Sequence, residues 1–150
     1  GRDPVSTPAM DDLQALKTCL ETITVTNGYQ TDVAAVAIGR AALAVGSKAA
    51  LPVITLTTVR DVPSDGGADI EAGNKYQTWT RIAQMEALVD GSGDWERALD
   101  AVLDDVRRAL TQFKKPLRIG AADFVPPADA GSTASFVMPL QFLYELNYFD

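Results

Sequence analysis

Between Phe136 and Tyr148 the chain alternates almost without fault. Phe136, Met138, Leu140, Phe142, Tyr144, Leu146 and Tyr148 share one parity, while Val137, Pro139, Gln141, Leu143, Glu145 and Asn147 share the other. Successive side chains of a strand point to opposite faces, so the first set forms one wall of large apolar groups. Such a wall must be covered by helices or by another subunit. With no catalytic residue types beside it, the segment reads as part of a building element rather than of an enzyme.

Two helical stripes supply candidate cover. Leu13, Leu16, Leu20 and Ile23 recur at steps of three and four, which predicts a helix from about residue 9 to 24. Thr7 is placed to cap it, with Pro8 at its first position and Asp11 and Asp12 at its positive end. Asn27-Gly28 stops it. A second helix runs from near Asp94 to Lys115. Trp95, Ala98, Leu99, Val102, Leu103, Val106, Leu110 and Phe113 lie on one arc of about 140°, and Pro116 ends it. Its polar side carries Glu96, Asp100 and Asp104 in an i, i+4, i+8 row, and Asp104 is spaced to pair with Arg108.

The remaining segments read as strands and loops. Val33–Arg40 alternates with small residues and is taken as a strand, followed by a loose Ala/Gly/Ser segment to Ala50. Val53–Val62 is dense in Val, Ile and Thr between two prolines, and Tyr76–Val89 is rich in Thr and aromatics. Ser64–Asn74 reads as an exposed glycine-rich loop. Short pieces around Leu117–Ile119 and Asp123–Val125 precede the final strand. The expected fold is α+β: two layers, a mixed or antiparallel sheet of four to five strands, covered on one face by two amphipathic helices. Residues 10–150 form one domain. Residues 1–9 read as a flexible arm or an expression scar. Pro139 suggests that the final strand lies at an edge or carries a bulge.

Composition narrows the chemistry. There is no histidine, which removes the commonest general base and metal ligand and any Ser-His-Asp triad. A single cysteine, Cys19, excludes an internal disulfide and reads as a small apolar filler. The net charge of −7 argues against a phosphate-gripping surface. Arg40 and Lys48 interrupt the most apolar stretch, so no transmembrane helix is readable, and no signal-peptide pattern is visible.

Three motifs invite sharper readings and fall short. Gly91-Ser92-Gly93 has the place of a phosphate-binding turn, but Glu96 stands where a third glycine belongs and Asp90 and Asp94 would repel the anion. Asp65, Asp69 and Glu71 suggest a calcium loop, but Gly67 and Ile70 occupy positions that need an oxygen ligand and a glycine. The acid row on the second helix faces solvent or a neighbouring subunit, where nothing shifts its pKa values apart. No metal, cofactor or catalytic residue is expected.

The runs Leu16-Lys17-Thr18-Cys19-Leu20-Glu21-Thr22-Ile23, Asn27-Gly28-Tyr29-Gln30-Thr31-Asp32-Val33, Gly39-Arg40 and Leu51-Pro52-Val53-Ile54 resemble the opening of tail terminator and tail-completion proteins of long-tailed bacteriophages. The helix Asp94–Lys115 and the last strand fit the same order of elements. The resemblance implies a structural, non-enzymatic virion protein of the tail or neck, assembled in the host cytoplasm. Such subunits form a hexameric ring on the tail tube, end tube growth and receive the head connector, while DNA passes through without specific binding. Implied partners are further copies of the chain, the tail tube protein and a head-completion protein, with no membrane. Candidate contacts are Asp65, Asp69 and Glu71 in the loop, and Arg40, Arg60 and Arg81 pairing with acids of a neighbouring subunit. Alternatives are another neck or head–tail joining protein, or a small α+β domain binding a ligand under its sheet.

Overall fold

A computed structural model describes residues 7–39, 50–64, 76–129 and 131–147. Helix α1 spans Pro8–Glu21. Thr7 caps it by accepting the Met10 amide at 3.2 Å. Pro8 and Ala9 belong to the helix and not to an arm, and Ala9 is buried. The helix ends at Thr22, earlier than the apolar spacing predicts, because Ile23 and Thr24 turn into a short 3₁₀ segment, Val25–Asn27. Gly28 closes that segment at φ 89°, a left-handed conformation that suits glycine.

The strands are β1 (Ala35–Ile38), β2 (Val53–Pro63), β3 (Tyr76–Asp90), β4 (Leu117–Ile119), β5 (Asp123–Val125) and β6 (Thr133–Asn147). Helix α2 (Trp95–Leu110) lies between β3 and β4, capped by Asp94, which accepts the Arg97 amide. The sheet order is β1-β2-β3-β6-β4, with β5 also paired to β6. The pair β1–β2 is parallel and all others are antiparallel. The fold is thus α+β with an open mixed sheet of six strands, since both three-residue pieces before β6 join it.

Register explains why one face is filled. Leu56 stands opposite Met85 and Met85 opposite Met138; Ile54 stands opposite Ala87 and Ala87 opposite Phe136. These residues and Leu140 and Phe142 of β6 form one cluster with Leu13, Leu16 and Leu20 of α1 and Leu99, Val102, Leu103 and Val106 of α2. Phe136 is fully buried, a contribution of roughly 2–3 kcal/mol relative to exposure.

The edge expectation for the last strand is only half met. β6 is an interior strand, paired over its whole length with β3. The irregularity sits in its other neighbour. Between Ile119↔Leu140 and Asp123↔Val137 the β4–β5 side advances four residues against three on β6, a bulge opposite Pro139. Gly120 donates its amide to the Pro139 carbonyl at 2.8 Å. The Pro139 nitrogen points the same way as its carbonyl, toward this break, so the missing N–H leaves the β3 ladder intact. A second bulge lies in β2 between Thr58 and Arg60.

Candidate functional site

Three polar arrangements stand out, and the first lies inside the helix-covered face. Asp61 of β2, Arg81 of β3 and Tyr144 of β6 meet at the end of the sheet beside Met10 of α1. Arg81 Nε donates to Asp61 Oδ1 at 2.7 Å and Nη2 to Oδ2 at 2.9 Å, a two-pronged ion pair. The Tyr144 hydroxyl donates to Asp61 Oδ2 at 2.7 Å, and the guanidinium lies 5.7 Å from the Tyr144 ring centroid. The Arg81 hydrogen bonds hold the Asp61 carboxyl below its ordinary range. Burial, then the bond to Asp61, push the Tyr144 phenol up to about 12. The bonds run between side chains of three strands, so this cluster ties them together.

The second arrangement holds the turn after α1 against α2. Asp105 is fully buried and accepts the Gln30 amide at 3.0 Å, the Thr31 amide at 2.8 Å and the Thr31 hydroxyl at 2.7 Å. Asp104 accepts Gln30 Nε2 at 2.7 Å. Arg108 Nη1 donates to the Gly28 carbonyl at 2.9 Å, with its guanidinium 4.6 Å from the Tyr29 ring centroid. Gln112 Nε2 donates to the Tyr29 hydroxyl at 2.8 Å. The expected Asp104–Arg108 pair does not form, because both side chains find partners on this turn. Lys115 binds both carboxylate oxygens of the buried Asp12, at 2.8 and 3.0 Å, tying the end of α2 to α1.

The third arrangement is on the sheet face that no described helix covers. Arg60, Ile82, Gln141 and Arg118 form one cross-strand row: Arg60 is opposite Ile82, Ile82 opposite Gln141, and Gln141 opposite Arg118. Both arginines are exposed. Two shallow open depressions flank Arg118. One, of about 260 Å³, is lined by Ile82, Pro139 and Gln141; the other, of about 380 Å³, by Thr80, Gln141 and Leu143. Leu143 is 44% exposed and Val125, on the same face, 47%.

The predicted contact residues divide accordingly. Arg60 lies on the bare face. Arg81 lies under the helices and is committed to Asp61 of its own chain, with only 14% of its side chain exposed, so it is not available to a neighbour. Its position follows from the β2 bulge, which sets Asp61 opposite it. Arg40, Asp65, Asp69 and Glu71 lie outside the described residues, as do the segment 41–49 and the whole of 65–75. Arg118, Asp61 and Asp105 stand at the centre of these three arrangements, and spacing does not reveal them. Arg118 alone carried a signal, a lone cation in an otherwise apolar strand piece.

The remaining motifs are structural. Asp90 Oδ1 accepts the Ser92 amide at 3.0 Å and its hydroxyl at 2.8 Å, which lowers the Asp90 pKa and makes Gly91-Ser92-Gly93 a closed strand-to-helix turn. Cys19 is half-buried, and burial raises its thiol pKa, away from nucleophilic reactivity. Among the described residues no group of three or more His, Cys, Asp or Glu is arranged to hold a metal, and no helix is long and apolar enough to cross a membrane. No family model matches the chain, and no curated protein matches it.

Proposed function

We propose that this protein is a structural subunit of a long-tailed bacteriophage virion, a tail terminator. In this reading it assembles as a ring, hexameric by the resemblance, on the end of the tail tube, stops tube growth and offers the head connector a docking surface. It acts by shape and contact and uses no cofactor. The resemblance of the runs 16–23, 27–33, 39–40 and 51–54 and the order of elements support the reading. The observation that carries it is the asymmetry of the domain: helices bury one sheet face, while the other, although Val53, Thr55 and Ser135 on it are buried, exposes Leu143, Val125, Arg60 and Arg118 around a half-buried Ile82. A small domain that exposes apolar and cationic side chains on the sheet face away from its described helices is suited to contacts between unlike surfaces of successive copies, the type that closes into rings. The acidic balance suits a channel that DNA crosses without adhering.

A ligand-binding domain is the weaker reading, because the depressions beside Arg118 among the described residues are open and shallow where a small-molecule site is concave and enclosing. Mixing the purified protein with tail tubes tests the proposal. Arrest of tube extension at a length fixed by added protein supports it, and extension unaffected by a molar excess counts against it.

A further inference from the structure

Among the described residues, no partner completes the charge arrangement on the face that the helices leave uncovered. Arg60 and Arg118 make no hydrogen bond and no ion pair among the described residues. Their row spans four adjacent strands, so their Cα atoms lie about 14 Å apart, three strand spacings. No acid stands in the adjoining rows: Val62, Thr80 and Leu143 lie on one side, Gln84 and Pro139 on the other. The nearest described carboxylates on this face, Glu86 of β3, Glu145 of β6 and Asp123 of β5, stand about four residues along the strands from the row, roughly 13 Å away. Glu86 is already engaged elsewhere. In a chain of net charge −7, two arginines with no ion-pair partner among the described residues stand around an apolar centre as a local positive site.

The complementary surface is on the same chain, on the opposite side of the two-layer domain. Glu96, Asp100 and Asp104 project from the exposed side of α2. Glu96 and Asp104 are about 12 Å apart along the axis, and Asp100 lies midway. Glu96 and Asp100 meet no cation among the described residues; Asp104 holds Gln30 and keeps a second carboxylate oxygen. Of the basic residues on this helix, Arg97 is paired with Asp94 and Arg108 is turned to Gly28, which leaves Arg107 beyond the acid row. The acid row and the arginine row are therefore similar in length and opposite in sign, and among the described residues Glu96, Asp100 and both arginines meet no ion-pair partner.

We infer that the occupant of the bare face is a second copy of this chain, with the outer side of its α2 laid across the strands so that its acid row meets Arg60 and Arg118. Ile82, Pro139 and Leu143 form the apolar centre between the charged ends. Because the two surfaces are different and lie on opposite sides of the subunit, the contact is heterologous: it repeats from copy to copy and closes into a ring or runs on as a filament. The inference rests on the proposed ring-forming function and assigns it an interface. Charge pairs at such a contact also fix register and exclude wrong pairings, which a stoichiometric ring requires.

The test is a charge-reversal cycle on the full chain, read by sedimentation velocity and light scattering, with circular dichroism to establish that each variant is folded. Arg60→Glu/Arg118→Glu alone and Glu96→Lys/Asp100→Lys alone should each weaken self-association by about tenfold or more. Neither pair takes part in the internal ties described above. The quadruple variant, with both reversals in one chain, should recover assembly. Milder Arg60→Gln/Arg118→Gln substitutions should give an intermediate loss if a reversal variant fails to fold. Association unchanged by either reversal, or lost by both without recovery in the quadruple variant, overturns this interface. Rings that persist through the reversals would leave the ring reading standing while removing this contact. A wild-type chain that is monomeric both alone and with tail tubes removes both.

Discussion

Tyr144 and Asp61 are joined across an intervening strand: the phenol on β6 donates to the carboxylate on β2 at 2.7 Å, while Arg81 of β3, the strand between them, donates to both carboxylate oxygens. The bond ties together three strands at the end of the sheet beside Met10 of α1. Asp61→Asn keeps the shape and removes the charge. It should cost about 1–2 kcal/mol, because the pair is only partly shielded from solvent. The tyrosine signal at 295 nm gives a second, more specific readout. In the wild type one tyrosine should titrate near 12, and in Asp61→Asn that step should move down toward the ordinary tyrosine value.

Acid stability follows from the same carboxylate. Asp61 is depressed in the folded state, chiefly by the Arg81 hydrogen bonds, so the unfolded chain takes up its proton first as pH falls. Its contribution is present above the unfolded value of about 4 and is lost as pH falls through the folded value. Denaturant midpoints should therefore decline below about pH 4, with a shallower decline in Asp61→Asn. At the other limit, Tyr144 contributes stability below the ordinary tyrosine value, lost as pH rises through about 12.

Asp105 predicts a local as well as a global effect. Its carboxylate satisfies the Gln30 and Thr31 amides and the Thr31 hydroxyl in a fully buried site. Asp105→Ala strands those donors and should cost about 3 kcal/mol in urea unfolding. Hydrogen exchange should accelerate at the amides of Gln30 and Thr31 well before it does in β3 or β6.

The β4–β5 break depends on a glycine. A methyl group on Gly120 would sit 2.6 Å from Pro139 Cγ. Gly120→Ala should destabilise by about 1–3 kcal/mol through overpacking. In Gly120→Ala/Pro139→Ala the ring is gone and much of that cost should disappear, a coupling that a double-mutant cycle measures.

The elements were legible where one periodicity ruled a long segment. The alternation from Phe136 and the arc from Trp95 to Leu110 identify the wall and its cover, because sheet and helix burial impose different periods on the same residue types. The place of β6 was not legible. Pro139 signals an edge locally, but strand order depends on pairing with β3 and with two pieces of three residues each, too short to carry a period. Arg81 shows the same limit. Its sequence neighbours do not reveal that a bulge after Thr58 sets Asp61 opposite it, so it reads as a surface cation. Asp105 looks like one more acid on a charged helix until the chain folds the 28–31 turn against it. Arg118 gains meaning only from the register that sets it in line with Arg60.

The central claim is that this chain works as a ring on the tail tube. Negative-stain imaging with mass measurement, on the protein alone and mixed with purified tail tubes, addresses it most directly. The account predicts closed rings of one defined stoichiometry seated on the tube ends. A protein that stays strictly monomeric and leaves the tube ends bare would contradict it.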